Sequence, residues 1–78
     1  MIVPPGCEAI SSPVTGSVWK QAVQVGDRVA AGEELLVVEA MKMEIPISAD
    51  TAGEIVELRC EPGRSVAAGD VLAVLRPV

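Results

Sequence analysis

The chain has 78 residues, a net charge of −5, hydrophobic residues at half of its positions and Trp19 as its only aromatic. A chain this short makes one small domain with an aliphatic core, and it buries only about 60 % of its unfolded surface. Its acidic balance, without a basic patch or stacking aromatics, excludes a nucleic-acid binder, and no run is long enough to span a bilayer.

In chain order, Met1–Gly6 with Pro4-Pro5-Gly6 reads as a linker remnant, and the domain proper runs from Cys7 to Val78. Strands are expected at Glu8–Ser11, Gly16–Val23, Arg28–Ala30, Glu34–Ala40, Met43–Ser48, Gly53–Cys60, Ser65–Ala67 and Val71–Leu75. Runs rich in Val, Ile and Leu, punctuated by Gly and Pro at short spacing, predict an all-β sandwich or barrel. Ala30-Ala31-Gly32 and Ala67-Ala68-Gly69 are too short to nucleate helices and end in glycine. Gly26 and Gly63 sit in turns between a long strand and a short one. Gly16 and Gly53 open the long strands, where a close backbone approach or a bulge is expected. Pro46 cannot donate to a ladder and belongs on an edge.

Shifted by 37 positions, the chain matches itself. Ile10-Ser11 falls on Ile47-Ser48, Gly16 on Gly53, Gly26 on Gly63, Val29–Gly32 on Val66–Gly69, and Leu35 and Val37 on Leu72 and Val74. Ten of thirty aligned pairs are identical, well above chance, so the domain is two halves of one shape. The same shift carries Lys42 to positions 5 and 79. A pseudo-twofold axis therefore sets the chain ends at the pole opposite Lys42.

The tip itself is unusual. Glu34–Ala40 and Met43–Ser48 flank Met41-Lys42, a poor choice for a two-residue hairpin turn that favours Asn-Gly. Lys42 is one of only two lysines, and the other, Lys20, lies within a strand. A lone lysine at a tip is ordinarily solvated charge. Two flanking thioethers depart from that pattern, because methionine ordinarily packs inside. A lysine amine is mostly protonated near neutrality, with a reference pKa of about 10.4. An enzyme that acylates it must reach around it, and a hairpin apex gives that access.

The rest of the chain offers no catalytic parts. Histidine is absent, and no nucleophile–base arrangement, phosphate-binding glycine loop or metal-ligand spacing is present. Glu33-Glu34 reads as a solvated turn. Without an export signal, Cys7 and Cys60 are expected as thiols, Cys60 as a buried small hydrophobe and Cys7 near the linker. Trp19 is expected to pack in the core or half-buried on its strand, with docking as the minority reading.

Glu39-Ala40-Met41-Lys42-Met43-Glu44 resembles the attachment motif of biotinyl (biotin carboxyl carrier) domains. The resemblance runs from about Ile10 onward and includes Gly16, Gly26-Asp27, Val29, Gly32 and Gly53. It implies a flattened β-barrel of two four-stranded antiparallel sheets of the biotinyl/lipoyl type. It further implies covalent biotin on Lys42, attached by biotin protein ligase. Met41 and Met43 are then the flanking motif, and Ala40, Glu39 and Glu44 the tip environment. The arm would accept a carboxyl group at a biotin carboxylase site and deliver it at a carboxyltransferase site, the domain itself being non-catalytic, monomeric and cytoplasmic. Lipoyl domains share the fold but usually carry Asp-Lys-Ala at the tip, so Met-Lys-Met favours biotin over lipoate. Equal spacing of Gly16 to Gly26 and Gly53 to Gly63 leaves no room for the thumb of some carriers. Gly6–Ile10, Ser17–Lys20 and Leu58–Cys60 look most like the C-terminal carrier segment of urea carboxylases (urea amidolyases). Carriers of acyl-CoA or pyruvate carboxylases are the alternative, followed by a lipoyl-type acyl carrier and an unmodified interaction module.

Overall fold

The computed structural model describes residues 3–59 and 61–78. The described chain folds as eight strands without a helix: β1 Glu8–Ser11, β2 Gly16–Gln21, β3 Arg28–Val29, β4 Glu34–Ala40, β5 Met43–Ser48, β6 Gly53–Leu58, β7 Ser65–Val66 and β8 Val71–Pro77. All eight expected strands form. β2, β3, β6 and β7 stop short of the sequence reading, and β8 extends to Pro77. Cys60, expected as a buried hydrophobe, lies outside the described residues, as do Met1 and Ile2 of the expected linker.

Two four-stranded antiparallel sheets form, in the orders β1-β8-β6-β3 and β5-β4-β2-β7. The 37-residue shift converts the first order into the second. The register obeys it too: Glu8 opposite Leu75 becomes Ile45 opposite Val38, and Ser17 opposite Glu39 becomes Glu54 opposite Arg76. Even the bulge between Val18 and Lys20 recurs between Ile55 and Glu57.

Of the four interior strands, β4 and β8 carry the continuous apolar runs. Between the sheets, Ile10, Val18, Leu35, Leu36, Val38, Ile47, Ile55, Leu72 and Leu75 are among the residues of one core. The molecule measures 35 × 23 × 17 Å, the thin dimension being that of two stacked sheets. Each half closes its last turn in the same way. The Glu33 carboxylate accepts from the Ala30 amide at 3.1 Å, and the Asp70 carboxylate from the Ala67 amide at 2.9 Å. Pro46 lies on β5, an edge strand, as a residue without an N–H requires.

The ladder also locates the poles. Glu8 lies opposite Leu75, so the segments before β1 and after β8 leave from one end. Gly16 abuts Glu39 and Ala40 at the other end. From there the chain runs to Gly26, whose amide reaches the Ile55 carbonyl beside Leu75. The turn between β4 and β5 therefore stands opposite the described chain ends.

Of the two placements expected for Trp19, the core one is not taken: it lies on its strand 50 % exposed. The bulge between Val18 and Lys20 interrupts strand alternation, so Trp19 and Lys20 both face solvent.

Candidate functional site

Strands β4 and β5 stay in register to their ends, where Ala40 lies opposite Met43 and the loop consists of Met41 and Lys42 alone. Both loop residues have positive φ, 50° and 65°. This is the left-handed geometry of a primed hairpin turn, which suits the right-handed twist of the flanking strands. Non-glycine residues reach it only with strain of about 1–2 kcal/mol each. Asn-Gly would relieve that strain, so the turn holds Met-Lys against local preference.

The apex is presented outward. Met41 is 94 % exposed and Met43 64 %, although methionine is ordinarily a core residue. Lys42 is exposed, and among the described residues no ion pair or hydrogen bond engages its side chain. Lys20 differs: its Nζ lies 3.5 Å from a Glu34 carboxylate oxygen and 5.6 Å from the centre of the Trp19 ring. One lysine is tied to its own sheet, and the other has no such partner among the described residues.

The remaining motif residues share the base of the tip. Ala40 is half-buried at the end of β4. Glu39 and Glu44 are exposed and directly opposite each other, a like-charge cross-strand pairing that opposes sheet formation. Ser17 flanks Glu39 on the other side. The six residues of the motif are thus brought together at one pole.

Gly16 braces this base, a role that its position at a strand start only hinted at. A Cβ on Gly16 would stand 2.2 Å from the Glu39 carbonyl oxygen and 3.1 Å from the Ala40 side chain. Only glycine lets β2 approach β4 so closely, and the contact lies immediately below the turn. Gly53 repeats the device at the other pole, against the Arg76 carbonyl at 2.5 Å.

A group joined through the Lys42 amine fits this arrangement. The amine stands at an apex, no charge among the described residues pairs with it, and the flanking side chains are soft and exposed. No helix among the described residues is long and apolar enough to cross a membrane, and no cluster of three or more metal-ligating side chains occurs among them. Cys7 is a free, half-buried thiol.

Residues 8–75 match the family described as biotin-requiring enzyme. Urea amidolyase of Saccharomyces cerevisiae is 42 % identical over 72 residues, which are 92 % of this chain but 4 % of that protein. The biotin/lipoyl attachment protein of Bacillus subtilis is 42 % identical over 66 residues, 85 % of this chain and 90 % of that one. Among solved structures, urea carboxylase of Kluyveromyces lactis superposes with a TM-score of 0.89 at 36 % identity, covering 96 % of this chain and 7 % of that one.

Proposed function

The chain belongs to the family of biotin-requiring enzymes, and from that premise we propose that Lys42 is the residue to which biotin is joined. The observation that carries this reading is an unengaged lysine at a strained hairpin apex between two exposed methionines. Attachment is an amide bond. As the new C–N bond forms, the Lys42 amine gives up its proton and the activating group leaves the acyl carbon. Biotin protein ligase supplies the activated acyl group and the base; the chain has no histidine, and among the described residues no acidic side chain is paired with the Lys42 amine.

Once bound, biotin supplies the group that takes up and gives up a carboxyl. The chain's own residues do the presenting. β4 and β5 fix the base of the arm, and Gly16 braces it. Met41 and Met43 offer apolar surface that repacks against more than one partner. Amide formation removes the lysine charge, so the arm enters a second active site without desolvating a cation. Glu39 and Glu44 place negative charge at the base of the tip, where it steers encounter.

We infer that the partners are a biotin carboxylase site and a carboxyltransferase site, with this domain as the non-catalytic carrier between them. Urea is the favoured acceptor, since urea amidolyase and urea carboxylase match nearly the whole chain. A carrier for acyl-CoA or pyruvate carboxylation is the alternative. The Bacillus relative, 90 % covered, favours a further reading in which the same tip serves a short free-standing carrier. On the readings within a larger carboxylase the segment around Pro4-Pro5-Gly6 serves as tether, and on all of them the domain is a monomer.

The test is intact-mass measurement after co-expression with biotin protein ligase. A single biotinyl addition is expected, absent in Lys42→Arg and retained in Lys20→Arg. No addition to the unaltered chain, or addition that survives Lys42→Arg, would sink the assignment.

A further inference from the structure

The outer faces of the two sheets differ at one place that the repeat makes visible. On the sheet that ends in the Lys42 tip, Val37 lies between the core residues Leu36 and Val38 and faces outward, opposite Lys20 on β2 and Pro46 on β5. In the other sheet the equivalent Val74 lies opposite Glu57 and Ala9. Both valines are buried. The residue at the bulge beside Val37 is Trp19, and beside Val74 it is Val56, which is half-buried. A valine therefore satisfies the fold at this place. The chain's only aromatic stands there in one half alone, half exposed, on the sheet that leads to Lys42.

We infer that Trp19 is a resting site for the group carried by Lys42: between visits to partner active sites, the arm lies back along this face and sets its fused rings on the indole. The inference rests on the reading of Lys42 given above. Reach supports it. Trp19 lies at the level of Val38 and Val37, and Val38 is four residues before Lys42. That is about 13 Å along the strand and about 5 Å across to β2. A lysine side chain joined to the pentanoyl chain of biotin spans roughly ten bonds, about 12 Å when extended, and the fused rings add about 4 Å. The arm therefore spans the gap, and among the described residues no ion pair or hydrogen bond holds the Lys42 side chain elsewhere.

Chemistry supports it as well. The fused rings of biotin present apolar CH groups and a thioether, and both pack well on an indole. Lys20, one step farther from the tip, has its Nζ 5.6 Å from the centre of the Trp19 ring and 3.5 Å from a Glu34 oxygen. That exposed ion pair is weak, and an ammonium has three donors, so Lys20 can also donate to the ureido oxygen of biotin. Tethering does the rest. A short flexible arm holds its end at an effective concentration on the order of millimolar, so a contact too weak to retain free biotin is populated in the loaded chain. The site is open to solvent, so the arm leaves again when a deeper pocket competes for it.

The experiment compares the whole chain before and after enzymatic biotinylation, with intact mass reporting the load. Emission comes from Trp19 alone, since the chain has no other tryptophan and no tyrosine. Loading should move that emission to shorter wavelength and lower its quenching by acrylamide about twofold, as the exposed half of the residue is covered. By NMR, nuclear Overhauser contacts are expected between the indole protons and the biotin ring protons, unchanged on dilution. Trp19→Leu, which keeps the position apolar, should remove these contacts and raise the rate at which streptavidin captures the loaded chain about twofold. A loaded chain without the contacts, or an unchanged capture rate in Trp19→Leu, would overturn this inference alone and leave the exposed ring to a partner protein. Contacts that vanish on dilution would overturn it in favour of pairing between molecules. A chain that takes no biotin on Lys42 would overturn the reading of Lys42, and this inference with it.

Discussion

Substituting Gly16 by Ala tests how the tip is held. The added methyl would stand 2.2 Å from the Glu39 carbonyl oxygen, about an ångström inside ordinary contact, and the obstacle is backbone that no rotamer can move aside. Overpacking of this kind costs about 1–3 kcal/mol, and a backbone obstacle places Gly16→Ala near 2–3 kcal/mol. For a domain of this size that lowers Tm by about 10–20 °C. Gly53→Ala is the internal control, with its methyl 2.5 Å from the Arg76 carbonyl and 2.9 Å from a Leu75 methyl. Both variants should lose stability in urea unfolding followed by circular dichroism, the better probe because Trp19 is already half exposed in the native state. Their labelling should differ. Gly16→Ala displaces Glu39–Ala40 and should slow biotinylation of the folded fraction several-fold, whereas Gly53→Ala perturbs the opposite pole and should leave it unchanged. Equal slowing in both, or full native stability in Gly16→Ala, would refute the bracing argument.

Met41→Asn/Lys42→Gly replaces a strained turn by a favoured one and should raise stability by about 1 kcal/mol or more in thermal melts, while abolishing labelling. Trp19→Ala should cost less than about 1.5 kcal/mol, the sum of an exposed cation–π contact and modest area burial, where a core tryptophan would cost 3–5. Glu44→Gln should stabilise the fold by a few tenths of a kcal/mol up to about 1, less at high salt, by removing the like-charge partner of Glu39.

Much of the fold was legible because the repeat is coupled to strand pairing. The matched glycines and the runs Leu35–Val38 and Leu72–Leu75 mark equivalent places, and sheet order and register both obey the same shift. The tip was legible for a different reason: Met41, Lys42 and Met43 break local preference together, which folding alone does not explain. Whether Trp19 would be core or half-buried was not legible, because exposure in a strand depends on alternation, and the bulge between Val18 and Lys20 resets it. A bulge of this kind leaves no composition signal in Ser17–Lys20.

The interleaving of the halves has a consequence for biogenesis. Each sheet draws two strands from each half, and β8, the last of the eight strands in chain order, is central in its sheet between β1 and β6. Until β8 is synthesised, β1 has no partner and the core facing Leu35, Leu36 and Val38 lacks Leu72, Ala73 and Leu75 from the opposite wall. Met41 and Lys42 emerge well before that, on a β4–β5 hairpin whose buried face still lacks β8 across from it. An enzyme that recognises the turn, and not the bare hexapeptide, would therefore act only on chains translated through β8, so that the mark on Lys42 also certifies a finished domain.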